Sequence, residues 1–151
     1  SEFAAALDAA LRRHGVDPAC VELELTESAL ITDPERVRAT LARVREIGAN
    51  VAVDDFGTGY SSLDSLKRLP ISTLKIDRSF VHGMVHNENQ AVIVHSTINL
   101  AHNLGMRVVA EGVKDQETLE LLVLLGCDCA QGYFISEPQP AAMLAEWCKA
   151  A

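Results

Sequence analysis

Two aspartates in succession, Asp54-Asp55, follow the short apolar run Val51-Ala52-Val53 and precede a glycine-bearing stretch, Phe56-Gly57-Thr58-Gly59-Tyr60-Ser61-Ser62. Adjacent carboxylates at the end of an apolar strand repel one another, and a divalent cation or a lysine such as Lys75 would relieve that repulsion. Oxygen donors with no Cys or His cluster nearby favour Mg²⁺ or Mn²⁺ over zinc. Two such ions about 3.5–4 Å apart are a common device for displacement at a phosphoester. An isolated Asp-Asp pair is more often a helix N-cap, so the pair alone does not decide the matter.

The same kind of residue recurs at one strand end after another: Glu24, Asp54, Lys75 with Asp77, Glu111 and Gln131. A single strand of this type could simply have one wet face. Recurrence at several strand ends points to the C-terminal edge of a β/α barrel, where such folds keep their active sites. Parity agrees, since Leu23 and Leu25 alternate with Glu24, and Leu74 and Ile76 alternate with Lys75 and Asp77. The apolar set is expected to meet helices.

The elements that must position these residues follow from periodicity. Phe3, Leu7, Ala10 and Leu11 form a helical stripe that His14-Gly15 closes. The run from Val21 to Thr26 alternates as a strand, and the next helix opens at Thr32-Asp33-Pro34 with Val37, Leu41 and Val44 inward. A short strand at Val51 to Val53, a helix around Leu63 to Leu69 and a strand at Thr73 to Asp77 come next. A long helix from about Asn89 to Leu104 carries Val94, Ile98 and Ala101 on one face. Then come a strand at Arg107 to Glu111, a leucine-rich helix from Gln116 to Leu125, a fifth strand at Cys129 to Tyr133 and a last helix from Ala141 to Lys149. Strictly alternating strand and helix predicts parallel βα units in one α/β domain.

Composition sets the outer bounds. The chain has 151 residues, about one domain's worth, and 48% of them are apolar. Its 13 basic and 21 acidic residues sum to a net charge of -8, a field that opposes non-specific adhesion to DNA, RNA or anionic lipid. A polyanionic partner would need a local cation, such as a metal. Four cysteines with no Cys-x-x-Cys pair and no secretory segment read as reduced thiols of a cytoplasmic protein. The longest apolar runs, Leu121 to Leu125 among them, fall far short of the ~20 residues of a membrane span. Ser1-Glu2-Phe3 has the look of a short cloning junction.

Taken in order, Glu22-Leu23-Glu24-Leu25-Thr26-Glu27-Ser28, the stretch from Asp54 to Leu63, Leu74-Lys75-Ile76-Asp77-Arg78-Ser79-Phe80-Val81, Ala110-Glu111-Gly112-Val113 and Gln131-Gly132-Tyr133 resemble the EAL family of cyclic-di-GMP phosphodiesterases. That family is a (β/α)8 barrel that uses Mg²⁺ or Mn²⁺ to hydrolyse one phosphodiester of cyclic di-GMP, giving linear pGpG. The resemblance implies that Glu24 and Asp54 are ligands of a first metal, and that Asp54 bridges to a second metal held by Asp55 and Glu111. It further implies that Lys75 orients the attacking water, Glu111 is the general base, Gln131 lies beside the substrate, Asp77 is a supporting acid near Lys75, and Glu27 anchors the loop from Asp54 to Ser62.

Two departures qualify the resemblance. Nothing here matches the Glu-Ala-Leu strand that names the family, or the Asn-bearing strand motif that precedes a segment like Phe3 to His14; both supply first-metal ligands there. The expectation is therefore a C-terminal portion of one EAL domain over residues 1–151, an incomplete TIM-type barrel of about five βα units against eight in ~250 residues for a complete one. Such a piece is expected to be inactive alone and to associate with a second copy through its open strand edges. Other sensor or cyclase domains would belong to the parent chain. The second departure is Lys114, where the family usually has an acid; it either weakens Glu111 as a base or points into solvent, and the solvated position is the expectation. A degenerate module that binds cyclic di-GMP or a protein without catalysis is the alternative. His82 and His86, four apart, lack an acidic partner motif and are given no metal role. Cys127 and Cys129 are set on opposite faces of one strand, and His95 and His102 on solvated or packing positions.

Overall fold

The computed structural model describes residues 2–27, 29, 33–57 and 63–150. Thr32 and residues 58–62 of the glycine-bearing stretch, both part of the sequence expectations, lie outside the described residues.

Capping chemistry sets most boundaries. Helix α1 (Glu2–His14) ends at Gly15, whose φ of +62° is a left-handed value that glycine adopts without strain. Its buried stripe is Ala4 and Leu11 with Leu7 half-buried, not Phe3 and Ala10. Ala4 belongs to a cluster with Leu41 and Val44 of α2 (Pro34–Ile47), and a small residue at the closest approach turns Phe3 outward to 53% exposure. Helix α2 starts as expected, with Pro34 in its first turn and the Asp33 carboxylate accepting from the Arg36 amide at 3.2 Å.

Between them strand β1 (Glu22–Thr26) runs parallel to β2 (Asn50–Phe56). The sequence reading ends β2 at Val53; the structure carries it through both aspartates to Phe56. Helix α3 (Leu63–Arg68) leads to β3 (Thr73–Ile76), which a four-residue helix α4 (Arg78–Val81) follows at once. The periodicity does not foresee α4, because one turn is too short to show a 3.6-residue repeat. Helix α5 (Glu88–Asn103) buries Val94, Ile98 and Ala101 as expected. Strand β4 (Arg107–Glu111), helix α6 (Gln116–Leu124), strand β5 (Cys129–Gln131) and helix α7 (Ala141–Ala150) complete the order. Strand β5 is three residues long, not the five expected, because Gly132 leaves the ladder to pack on the Val113 backbone.

All pairings are parallel and the sheet order is β1-β2-β3-β4-β5, the sequential arrangement of a barrel wall. One face is dry. Val53, Leu74, Ile76, Val108 and Ala110 pack with Leu66, Val81, Val94, Ile98 and Leu122 of the helices in one buried cluster. The other face carries Glu24, Asp54, Lys75, Glu111 and Gln131, and among the described residues β1 and β5 are its open edges. No described helix is long and apolar enough to cross a membrane.

Candidate active site

Four strand ends deliver the site. The ammonium of Lys75, on β3, lies 2.6 Å from Glu111 Oε1 of β4, 2.7 Å from Glu24 Oε1 of β1 and 3.1 Å from Asp54 Oδ1 of β2. The Lys75 side chain is buried, at 6% exposure, so its charge is neutralised by carboxylates rather than by water. Burial alone would push its pKa down; hydrogen bonds to Glu111, Glu24 and Asp54 and the charge of Glu111 outweigh that and hold it above the ordinary lysine value. Lys75 is therefore a permanent cation, suited to hold an anion or orient a water and not to take up a proton.

A regular strand would turn Asp54 and Asp55 to opposite faces. The pairing of β2 with β3 slips between Val53 and Phe56, and Asp55 has φ of +54°, the one non-glycine among the described residues in the left-handed region. This bulge turns both carboxylates toward one place. Asp54, Asp55 and Glu111 consequently each offer an oxygen within 4.8 Å of the others.

These residues fit a divalent cation. Asp54 Oδ1 is buried with no partner of good hydrogen-bond geometry, the Lys75 ammonium at 3.1 Å being its nearest compensation. An anionic oxygen of that kind, in an all-carboxylate donor set, suits Mg²⁺ or Mn²⁺. Asp55 carries the strain of the arrangement: burial first, then the charges of Asp54 and Asp77 and a hydrogen bond with Asp77, raise its pKa against the opposing effect of Lys75. Asp77 moves the other way. Burial raises it, but the Ser79 hydroxyl and amide, the Asp55 carboxyl and the Arg78 amide lower it further. Asp55 and Asp77 are thus coupled, and the Asp77 carboxylate also accepts from the Ser79 amide at 3.0 Å as the N-cap of α4. Asp77 touches Asp55, the neighbour of the Lys75 cluster, and has no ion pair with Lys75 itself.

Glu27 is buried at the base of the glycine-bearing stretch. Its Oε2 accepts from the Gly57 amide at 3.1 Å, while its own amide donates to the Asp54 carbonyl at 3.3 Å. Gly57, at φ +99°, lies so close beneath Phe80 that a Cβ would stand 2.9 Å from the ring. Gln131 lines a cleft of about 400 Å³ together with Glu111 and Lys114. Lys114 is exposed, as expected.

The remaining sequence expectations resolve simply. Helix α4 stops at Val81, so His82 and His86 are not on one helix face; His82 Nε2 donates to the Gly112 carbonyl at 2.9 Å. His102 Nε2 pairs with Asp128 Oδ2 at 2.8 Å, a contact the sequence reading did not foresee. Cys127 precedes β5, so alternation does not separate it from Cys129; residues two apart on a strand would in fact share a face. Burial raises the Cys127 thiol to about 11, which leaves it inert.

The EAL domain family model matches residues 1–138. The chain belongs to the EAL family. It is 42% identical over 135 residues to the bifunctional diguanylate cyclase/cyclic di-GMP phosphodiesterase MucR of Pseudomonas aeruginosa, covering 89% of this chain and 20% of that protein. The crystal structure of the EAL domain of Mycobacterium smegmatis DcpA superposes with a TM-score of 0.91 at 40% identity, over 97% of this chain and 66% of that one. The manganese and cyclic di-GMP complex of Klebsiella pneumoniae BlrP1 superposes at 0.83 with 34% identity, over 89% of this chain and 34% of that one. The chain thus spans about a fifth of the length of the curated relative it matches. Known EAL domains are barrel-like, and the five-stranded parallel sheet is part of that wall.

Proposed function

We propose that this chain forms the later part of an EAL barrel that hydrolyses cyclic di-GMP to linear pGpG. The observation that carries the reading is the convergence of Glu24, Asp54 and Glu111 on the buried Lys75, with Asp55 turned into the same place. Asp54, Asp55 and Glu111 would hold Mg²⁺ or Mn²⁺, with Glu24 as a further ligand. Bound there, the metal supplies a water of lowered pKa and charge stabilisation for the phosphoryl oxygens.

Every other step belongs to side chains. Lys75, fixed as an ammonium, holds the attacking water in line with the phosphorus. Glu111, half-buried beside Lys75, accepts the water proton. Gln131, lining the cleft beside Glu111, contacts the substrate. Asp77 acts by holding Asp55, and Glu27 by fixing the backbone from Asp54 to Gly57. Among the described residues the polar sheet face is open at β1 and β5; turnover by this piece is expected to be negligible, and two copies are expected to associate along those edges.

The test is chromatographic detection of pGpG from cyclic di-GMP by the full-length protein with Mg²⁺ or Mn²⁺, alongside Glu111→Gln. Product that requires both metal and Glu111 is expected. Cyclic di-GMP left intact by the full-length protein, with or without metal, would overturn the reading.

A further inference from the structure

The cleft beside Glu111 has a second chemistry that the hydrolytic residues do not use. Besides Glu111 it is lined by Arg78, His82, Lys114, Gln131 and Tyr133. Arg78 and Lys114 are exposed, and neither has an ion pair among the described residues. The cavity's carboxylate, Glu111, is already engaged by Lys75 at 2.6 Å. Two uncompensated cations therefore face a space whose acid is taken, in a protein of net charge -8.

The backbone holds these cations in place. Gly112, at φ +73°, lets the loop after β4 lie directly on α4: a Cβ there would stand 2.6 Å from Arg78 Cβ and 2.9 Å from His82 Nε2. His82 locks the contact by donating to the Gly112 carbonyl. From the other side Gly132 presses on Val113, whose amide donates to the Gln131 carbonyl at 3.0 Å and whose carbonyl accepts from Phe134 at 3.1 Å. The Lys114 backbone, one residue on, is thereby clamped between two elements, and the adjoining Asp115 is spent capping α6 through the Thr118 amide at 2.8 Å. A fixed loop carrying an exposed lysine, packed against the helix that carries an exposed arginine, forms a seat for an anion.

We infer that Lys114 and Arg78 bind the phosphate of the cyclic dinucleotide that is not being cleaved. This rests on the function proposed above, which places the reacting phosphate at the carboxylates. A ring with two phosphates must set the second somewhere along the same floor, and this wall is cationic and next to Glu111. Lys114 is then a substrate-positioning residue that sets affinity and leaves the chemical step to Lys75 and Glu111.

The experiment compares full-length wild type with Lys114→Met, Lys114→Arg and Arg78→Met on two substrates, cyclic di-GMP and bis(p-nitrophenyl) phosphate, which has no second phosphate. Loss of one charged contact is expected to raise the KM for cyclic di-GMP about tenfold in Lys114→Met, with kcat changed less than twofold. Lys114→Arg should recover most of the loss, and added salt should raise the wild-type KM more than that of Lys114→Met. An unchanged KM in Lys114→Met, or equal losses on both substrates, would overturn the inference while hydrolysis itself stands. If wild type neither binds nor cleaves cyclic di-GMP, the proposed function falls, and this inference with it.

Discussion

The two faces of the one sheet are built from alternating residues of the same strands, yet they answer to different physics. On the dry side Leu74 and Ile76 sit with Val108 and Ala110 against the helices, each at 1% exposure or less. On the wet side Lys75 lies between them in sequence and binds three carboxylates from three other strands. The dry face is held by contacts that any apolar residue of similar volume could supply. The wet face is held by charge compensation and survives only as a set. Stability and chemistry are thus separated by one step along the chain, and substitutions should divide accordingly.

The largest separation should come from Glu111→Gln. Removing the proton acceptor is expected to lower kcat by about 10²–10⁴-fold, while the melting temperature falls little because the amide keeps a contact to Lys75. A variant that melts as wild type and turns over as wild type would remove Glu111 from the chemistry.

Lys75→Met should injure both properties, since it leaves Glu24, Asp54 and Glu111 crowded without their cation. Breaking a buried charged set typically costs about 3–5 kcal/mol. Mg²⁺ or Mn²⁺ should return part of the lost stability in thermal melts, because a divalent ion compensates the same carboxylates. No response of the melting temperature to metal would count against the carboxylates as a cation site.

Leu74→Ala is the matching change on the dry face. It should cost about 2–5 kcal/mol of stability and leave kcat per folded molecule near wild type; a loss of kcat in fully folded protein would mean the two faces are more tightly coupled than their packing suggests.

The smallest effect belongs to the far end of β4, where Asp128 accepts from His102 Nε2 and from the Val108 amide, each at 2.8 Å. Burial opposes the charge of Asp128, but these donors hold its pKa below the ordinary 3.8. With a depressed folded value, its contribution is full above about 3.8 and disappears as pH falls through the folded pKa. Its side chain is 35% exposed, so solvent screening keeps the effect under ~1 kcal/mol. Asp128→Asn should lower stability at pH 7 by under ~1 kcal/mol and flatten the acid limb of the stability curve below pH 4, where the two proteins converge.

Much of this arrangement was legible in the residues. Period-two alternation around Glu24 and Lys75 marks both strands and their wet face, and Asp33-Pro34 and Gly15 mark helix boundaries through local hydrogen bonding and φ alone. Val94, Ile98 and Ala101 mark the inward face of α5 because one helix repeat needs no knowledge of its neighbour. The ordered motifs from Glu22 to Tyr133 name the family.

Local pattern falls short where a position depends on a distant partner. Asp55 reaches Asp54's side of the sheet through a bulge, and the bulge exists in the register of β2 against β3, which lie in separate segments of sequence. Phe3 faces solvent because α2 offers Ala4 the close approach. The four-residue α4 has no period to read, and its cap, Asp77, gains its contact with Asp55 only once β2 and β3 are paired. The sequence by itself thus determined the elements, the two faces and the residue types at the strand ends, since each depends on neighbours a few residues away. Tertiary structure decided which charges share Lys75, how Asp55 enters the cluster and which cations, among the described residues, stay unpaired beside Glu111, because those depend on side chains brought together from segments 21 to 51 residues apart.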